Sequence, residues 1–195
     1  MSLAVVDSGG ANISSVLHAL RRLGTEPVFT ADAGTIQRAS HVILPGVGAA
    51  GRAMEVLRAN HLVETILHLQ QPVLGVCLGM QLLFESSAEG AASLLGLIPA
   101  HLSRLPAAAG VRIPHTGWNL LRSVRPDPLS AGLDGEWFYF VHGYAAPLGP
   151  WTLATSHHSV DFSAMVRHKN FCGVQFHPER SAAAGARLLR SFLDG

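Results

Sequence analysis

The chain has 195 residues, of which 48% are apolar and 14% charged, enough to bury a sizeable core and too apolar for a disordered chain. Its 14 basic and 13 acidic residues leave a net charge of +1, which excludes a binder that relies on electrostatic attraction to nucleic acid.

In chain order, "LAVVD" (3–7) is a short apolar run stopped by "SGG" and predicts a buried strand. "ANISSVLHALRRLG" follows, with Ile13, Val16, Leu17 and Leu20 at helical spacing and Gly24 as its stop. "PVFT" (27–30) and "HVILP" (41–45) predict two more strands. Residues 51–70 carry helical periodicity in two pieces. "PVLGVC" (72–77) is a fully apolar strand, and "LGMQLLFESS" (78–87) predicts a helix. Repeated strand–helix units imply a parallel sheet covered on both faces.

The second half changes character. "GLIPAHLSRL", "GWNLLRSV", "EWFYFVHGYAA", "WTLATSHH" and "FSAMVRHKNFCGVQFHP" predict strands, with a hairpin turn in "RHKNFCG". Residues 181–193 predict a closing helix. No repeat or linker divides the chain, so a single α/β domain over 1–195 with a mixed sheet is expected. The N-terminus lacks a signal-peptide pattern, and no apolar run is long enough to span a bilayer. Two cysteines make no disulfide framework, which points to the reducing cytoplasm.

Two stretches carry chemistry. "GVCLG" (75–79) sits where an apolar strand meets a helix, the setting of a nucleophile elbow with cysteine as nucleophile. Gly75 and Gly79 would remove side chains that collide across the turn. The Leu78 N–H would face the sulfur's site as an oxyanion donor, and a helix N-terminus favours thiolate. The alternative is a buried structural cysteine. A cysteine nucleophile needs a base and a group to orient it. "VQFHPE" (174–179) offers His177 at a strand end and Glu179 beside it, with His142 in "FVHGY" as the rival base. Histidine spacing does not fit a metal site, so no metal and no cofactor are expected. Cys172 reads as a strand core residue.

"LPGVGAAG" (44–51) matches G-x-G-x-x-G, the dinucleotide fingerprint. The pattern belongs after the first strand and needs an acidic residue at the end of the next; here it follows the third, and the next strand ends in Cys77. A dinucleotide-binding module, or a cysteine hydrolase or chaperone acting alone, remains as an alternative.

"GVCLGMQLLFESS" together with "GVQFHPERS" resembles the class I, or triad, glutamine amidotransferases. "GANISSV", "LPGVGAAGRAM", "PHTGWN" and "YFVHGYAAP" narrow the resemblance to the glutaminase subunits of imidazole glycerol phosphate synthase, across nearly the whole chain. The resemblance implies a flavodoxin-like class I amidotransferase fold: a central mixed, mostly parallel sheet with helices on both faces. It implies L-glutamine as substrate, a Cys77–His177–Glu179 triad, and an oxyanion site from the backbone of Leu78 with Val47 and Gly48. Gln81 and Gly46 would hold glutamine. The ammonia would pass to a (β/α)8-barrel cyclase subunit, with neither nucleic acid nor membrane involved. Asn12, Trp118, Asn119, Tyr139 and His142 would serve that partner interface. The chain departs from the family at Ala50, where Phe is usual, and at Gly143, where Ser or Thr is usual.

Overall fold

The structure, a computed structural model, describes residues 2–10 and 13–195. In chain order the first half comprises β1 (Leu3–Val6), α1 (Ser14–Arg22), β2 (Pro27–Thr30), α2 (Ala33–Arg38), β3 (His41–Leu44), α3 (Ala50–Ala59), α4 (Leu62–Leu67), β4 (Val73–Val76) and α5 (Leu78–Gln81). The second half comprises β5 (Phe84–Ser87), β6 (Ala92–Ser93), β7 (Ile98–Arg104), β8 (His115–Leu120), β9 (Arg122–Ser123), β10 (Trp137–His142), β11 (Tyr144–Ala145), β12 (Thr152–His158), β13 (Val160–His168), β14 (Phe171–Val174) and α6 (Ala182–Asp194).

An eight-stranded sheet of order β2-β1-β3-β4-β14-β13-β12-β9 runs through the centre. Strands β2, β1, β3, β4 and β14 are mutually parallel, and β13, β12 and β9 continue the sheet antiparallel. The sheet is therefore mixed, as expected. Period-2 alternation splits the inner strands of this sheet between two cores. Leu3 and Val5 of β1 join Val16 and Leu20 of α1 and Leu188 and Leu189 of α6 on one face. Ala4 and Val6 join Ile36 of α2, Leu57 of α3 and Leu62 of α4 on the other. Burial on both faces explains why β1, β3 and β4 read as unbroken apolar runs; β2, at the sheet edge, leaves Val28 and Phe29 exposed.

Two smaller sheets sit beside the main one: β8 with β10, and the four strands β11-β7-β5-β6. The second corrects the helix expected over 78–87. That helix ends at Gln81, and Phe84–Ser87 pairs with β7 and β6 instead. The short helix α2 was not foreseen; Asp32 caps it by accepting from the Thr35 N–H at 2.7 Å. The hairpin expected at "RHKNFCG" joins β13 to β14, with Lys169 at φ 55° in the turn.

Candidate active site

Strands β4 and β14 lie side by side in parallel, with Val76 opposite Val174. Each ends at the same end of the sheet; Cys77 of the expected triad follows β4 at once, and His177 follows β14 after Gln175 and Phe176. Cys77 leaves β4 at φ 53° and ψ −108° and opens α5, and its N–H donates to Val174 O at 2.8 Å. A positive φ on a non-glycine residue carries strain, and here it turns the sulfur out of the strand–helix corner. The flanking glycines are steric necessities. A Cβ on Gly79 would stand 1.7 Å from Leu44 O, and one on Gly75 would stand 2.5 Å from Gly79 O.

His177 follows β14 and Pro178–Arg180 forms a single helical turn after it. Glu179 Oε1 lies 2.9 Å from His177 Nδ1, which leaves Nε2 for the sulfur. Both side chains are buried, at 9% and 6% exposure. Burial pushes the His177 pKa down. Hydrogen bonds with Cys77 and Glu179, reinforced by their charges, outweigh it and push the value up to about 10. At neutral pH His177 is an imidazolium held between sulfur and carboxylate. Glu179 Oε2 is buried with no hydrogen-bond partner among the described residues.

The pocket beside the sulfur has a volume of about 160 Å³, and Cys77, Leu78, Gln81, Val47, Gly48 and His177 are among its walls. The sequence-derived oxyanion and substrate residues therefore converge on one cavity, save Gly46. That residue lies just behind: a Cβ on it would stand 2.8 Å from Leu78 Cβ and 3.0 Å from Gly79 N. Gly48, at φ 102°, supplies a backbone conformation that other residues rarely adopt. Gln81 Nε2 donates to Gln175 Oε1 at 3.0 Å and to Tyr144 O at 3.2 Å.

Glu89 also lines this pocket and sequence reading missed it. Its Oε2 accepts from the Ala50 N–H at 2.7 Å, at the start of α3. A carboxylate thus occupies the helix N-terminus where a pyrophosphate would sit, which argues against the dinucleotide reading of "LPGVGAAG". Ala50 is fully buried, and a Cβ on Gly143 would have only Pro114 Cβ near it, at 3.9 Å.

The β8–β10 ribbon sorts the interface residues by face. Trp118 stands opposite Tyr139, with ring centroids 6.0 Å apart, and Arg180 Cζ lies 4.6 Å from the Tyr139 ring centre. Trp137 and Val141 are exposed on the same face. Asn119 and His142 instead belong to the inner face: Asn119 pairs with Phe138, and His142 with His115. His142 is buried with both ring nitrogens hydrogen-bonded, so neither it nor Asn119 contributes to the aromatic surface. Asn12 lies outside the described residues. Cys172 is buried on β14, and burial pushes its thiol pKa up to about 11.

The family model for "Glutamine amidotransferase class-I" matches residues 4–194. The chain is 52% identical to "Imidazole glycerol phosphate synthase subunit HisH" of Xanthomonas axonopodis pv. citri, over 98% of this chain and 96% of that one. It is 50% identical to the protein of the same name from Xylella fastidiosa strain Temecula1, over the same shares. The chain belongs to the class-I glutamine amidotransferases, in the HisH family. Solved structures bear out the amidotransferase fold. The structure described as PurLQS from Thermotoga maritima superposes with a TM-score of 0.77 at 21% identity, covering 99% of this chain and 97% of that one. One described as a glutamine amidotransferase gives 0.76 at 20%, covering 100% and 98%. No helix among the described residues of this amidotransferase is long and apolar enough to cross a membrane.

Proposed function

We propose that this amidotransferase, read as a single domain, hydrolyses L-glutamine through Cys77, His177 and Glu179 and delivers the ammonia to a cyclase subunit. One observation carries the chemistry. A strained cysteine and a carboxylate-bound imidazole lie beyond the ends of adjacent parallel strands, at the same end of the sheet.

The sulfur of Cys77 attacks the glutamine carboxamide carbon. The oxyanion that forms is met by the N–H of Leu78 and by an N–H of the Val47–Gly48 segment. Collapse of the tetrahedral adduct breaks the C–N bond, and His177, already protonated, gives its proton to the departing amine. The neutral His177 then takes a proton from water, which attacks the thioester, releases glutamate and restores the starting state. Glu179 holds the His177 Nδ1–H throughout, fixing the tautomer that faces the sulfur. Glu89 supplies a carboxylate for the substrate's α-ammonium, and Gln81 a carboxamide.

The HisH relatives are named as subunits of a synthase, which supports a partner subunit here. The partner we infer is a (β/α)8-barrel cyclase that uses the ammonia to make imidazole glycerol phosphate and aminoimidazole carboxamide ribotide. Its docking face is the exposed aromatic ribbon around Trp118 and Tyr139, with aromatic anchors of the kind that dominate interfaces.

Glutamate release by the assembled synthase tests the reading. Cys77→Ala should reduce it at least about a thousandfold, while synthesis from added ammonia continues. Glutamate release persisting in that variant would remove Cys77 from the mechanism.

A further inference from the structure

Between the aromatic face and the pocket lies a buried group of histidines that the reaction above does not use. His115 on β8 and His142 on β10 are cross-strand partners, at 3% and 5% exposure. His158, near the end of β12, stacks on His115 with centroids 3.9 Å apart, and its Nε2 meets Arg112 O at 2.8 Å.

The hydrogen bonds assign each proton along this group. Tyr144 O can only accept, so His142 Nδ1, 2.8 Å away, carries hydrogen. Burial, with neighbouring histidine charge, pushes the pKa of His142 down to about 4 and that of His115 down to about 3, so both rings are neutral at pH 7. A neutral ring has one N–H, which makes His142 Nε2 an acceptor. His115 Nδ1 is 3.0 Å from it and must donate. His115 Nε2 is then an acceptor, and Asn119 Nδ2 faces it at 3.2 Å. The orientation of the Asn119 amide is fixed independently. Its Nδ2 donates to His157 O at 2.8 Å, and its Oδ1 accepts from the Leu120 N–H at 2.8 Å. The chain Asn119 to His115 to His142 to Tyr144 O therefore runs in one direction, with hydrogen on Nδ1 of both rings.

Its far end is in the pocket. Tyr144 O also accepts from Gln81 Nε2, and His142, Tyr144 and Gln81 all line the cavity beside Cys77. Gln81 Nε2 spends both protons on protein acceptors, Tyr144 O and Gln175 Oε1. The group Gln81 has left to offer a ligand is its Oε1.

We propose that His115 is a positioning residue for glutamine binding: its Nδ1–H holds His142 against Tyr144 O, and that carbonyl fixes the Gln81 carboxamide with its oxygen toward the substrate. This rests on the glutaminase reading above and deepens it by naming what sets the substrate pocket. His115 touches neither substrate nor sulfur and acts only through His142.

Two variants test it in the assembled synthase. His115→Phe keeps a flat ring that can stack on Phe140, as His115 does at 4.9 Å, but cannot donate. His115→Asn places an amide N–H near the Nδ1 position. The KM for glutamine should rise about tenfold in His115→Phe with kcat within about twofold, and His115→Asn should recover most of the loss. An unchanged KM in His115→Phe overturns the proposal. So does a fall in kcat without a KM change, or a loss that His115→Asn does not relieve, since either marks a merely structural role. If His115→Phe does not fold, nitrogen-15 NMR of the wild-type imidazoles decides. Hydrogen on Nδ1 of both His115 and His142 supports the chain, and hydrogen on Nε2 of either overturns it. Failure of the underlying glutaminase reading would show separately, as activity retained by Cys77→Ala.

Discussion

The backbone N–H of His177 donates to Tyr139 O at 2.9 Å. The imidazole proposed to serve the sulfur is thus tied by its own backbone to a strand whose alternate side chains, Trp137, Tyr139 and Val141, face outward. Two residues along the same strand, Val141 O lies 3.8 Å from Cys77 Sγ. A protein that covers the aromatic face of β10 presses on a strand in contact with both residues of the proposed reacting pair. Trp118→Ala should accordingly weaken assembly with the cyclase by about 1–2 kcal/mol, a shift of roughly tenfold in Kd, by isothermal titration. Glutaminase activity of the free chain should change little, because the Trp118 ring packs on Tyr139, which is not among the pocket walls. Equal affinity in wild type and variant would place the interface elsewhere.

The His177 pKa of about 10 depends on Cys77 and Glu179 outweighing burial. Cys77→Ala removes the sulfur's share and leaves the burial, so His177 should titrate lower in that variant, as should Glu179→Gln. The sign for stability follows. A folded-state pKa above the unfolded value of about 6.5 adds stability that is fully present below pH 6.5 and fades as pH rises through about 10. Cys77→Ala should therefore lose less stability between pH 7 and pH 10 than the wild type. NMR titration and urea midpoints at both pH values measure this, and an unmoved His177 pKa would contradict it.

His115 and His142 work in the opposite direction. Their folded-state values of about 3 and about 4 lie below the unfolded value, so the unfolded chain binds more protons in between. Their contribution is present above pH 6.5 and is lost as pH falls from there toward pH 4. His142 also lies within the field of His158 and His177, which adds to its resistance to protonation. Denaturant midpoints should fall between pH 7 and pH 5, and His115→Phe should flatten that fall. Midpoints equal at both pH values would show that these rings are not held neutral.

Gly79→Ala places a methyl 1.7 Å from Leu44 O, a backbone atom that cannot move without shifting β3. We expect a loss of about 3 kcal/mol or more and a drop in Tm of about 10 °C by calorimetry. A variant with wild-type Tm would mean that Gly79 does not pack against Leu44 O.

The parallel half of the fold and the elbow were legible because local signals decide them. An apolar run, a glycine on either side of Cys77 and the histidine–proline–glutamate stop each act within a few residues. The strand at Phe84–Ser87 was not legible, because its periodicity suits a helix and its partners lie on β7 and β6. Non-local pairing overrode the local pattern. Helix α2 was obscured by a short polar stretch, although Asp32 three residues before Thr35 was an available capping signal. Glu89 carried no signal, since only the fold brings it beside Ala50. The inner-face placement of Asn119 and His142 depends on the register of β8 against β10, which sequence alone does not state.

Because Cys77 follows directly on β4 and His177 comes three residues after the end of neighbouring β14, where its N–H is bonded to Tyr139 O, their placement starts from the ladder between β4 and β14. Adjacent strands stand about 4.8 Å apart in any sheet, and only Gln175 and Phe176 stand between β14 and His177. The proposed pair is therefore held at the centre of the main sheet and meets the outer ribbon through β10. What the ammonia is used for must then be decided by parts hung around the pair: the ribbon, the glycine loop, the surface that meets the next protein. Such a unit is portable, able to serve a different acceptor by changing its attachments and leaving its ammonia source untouched.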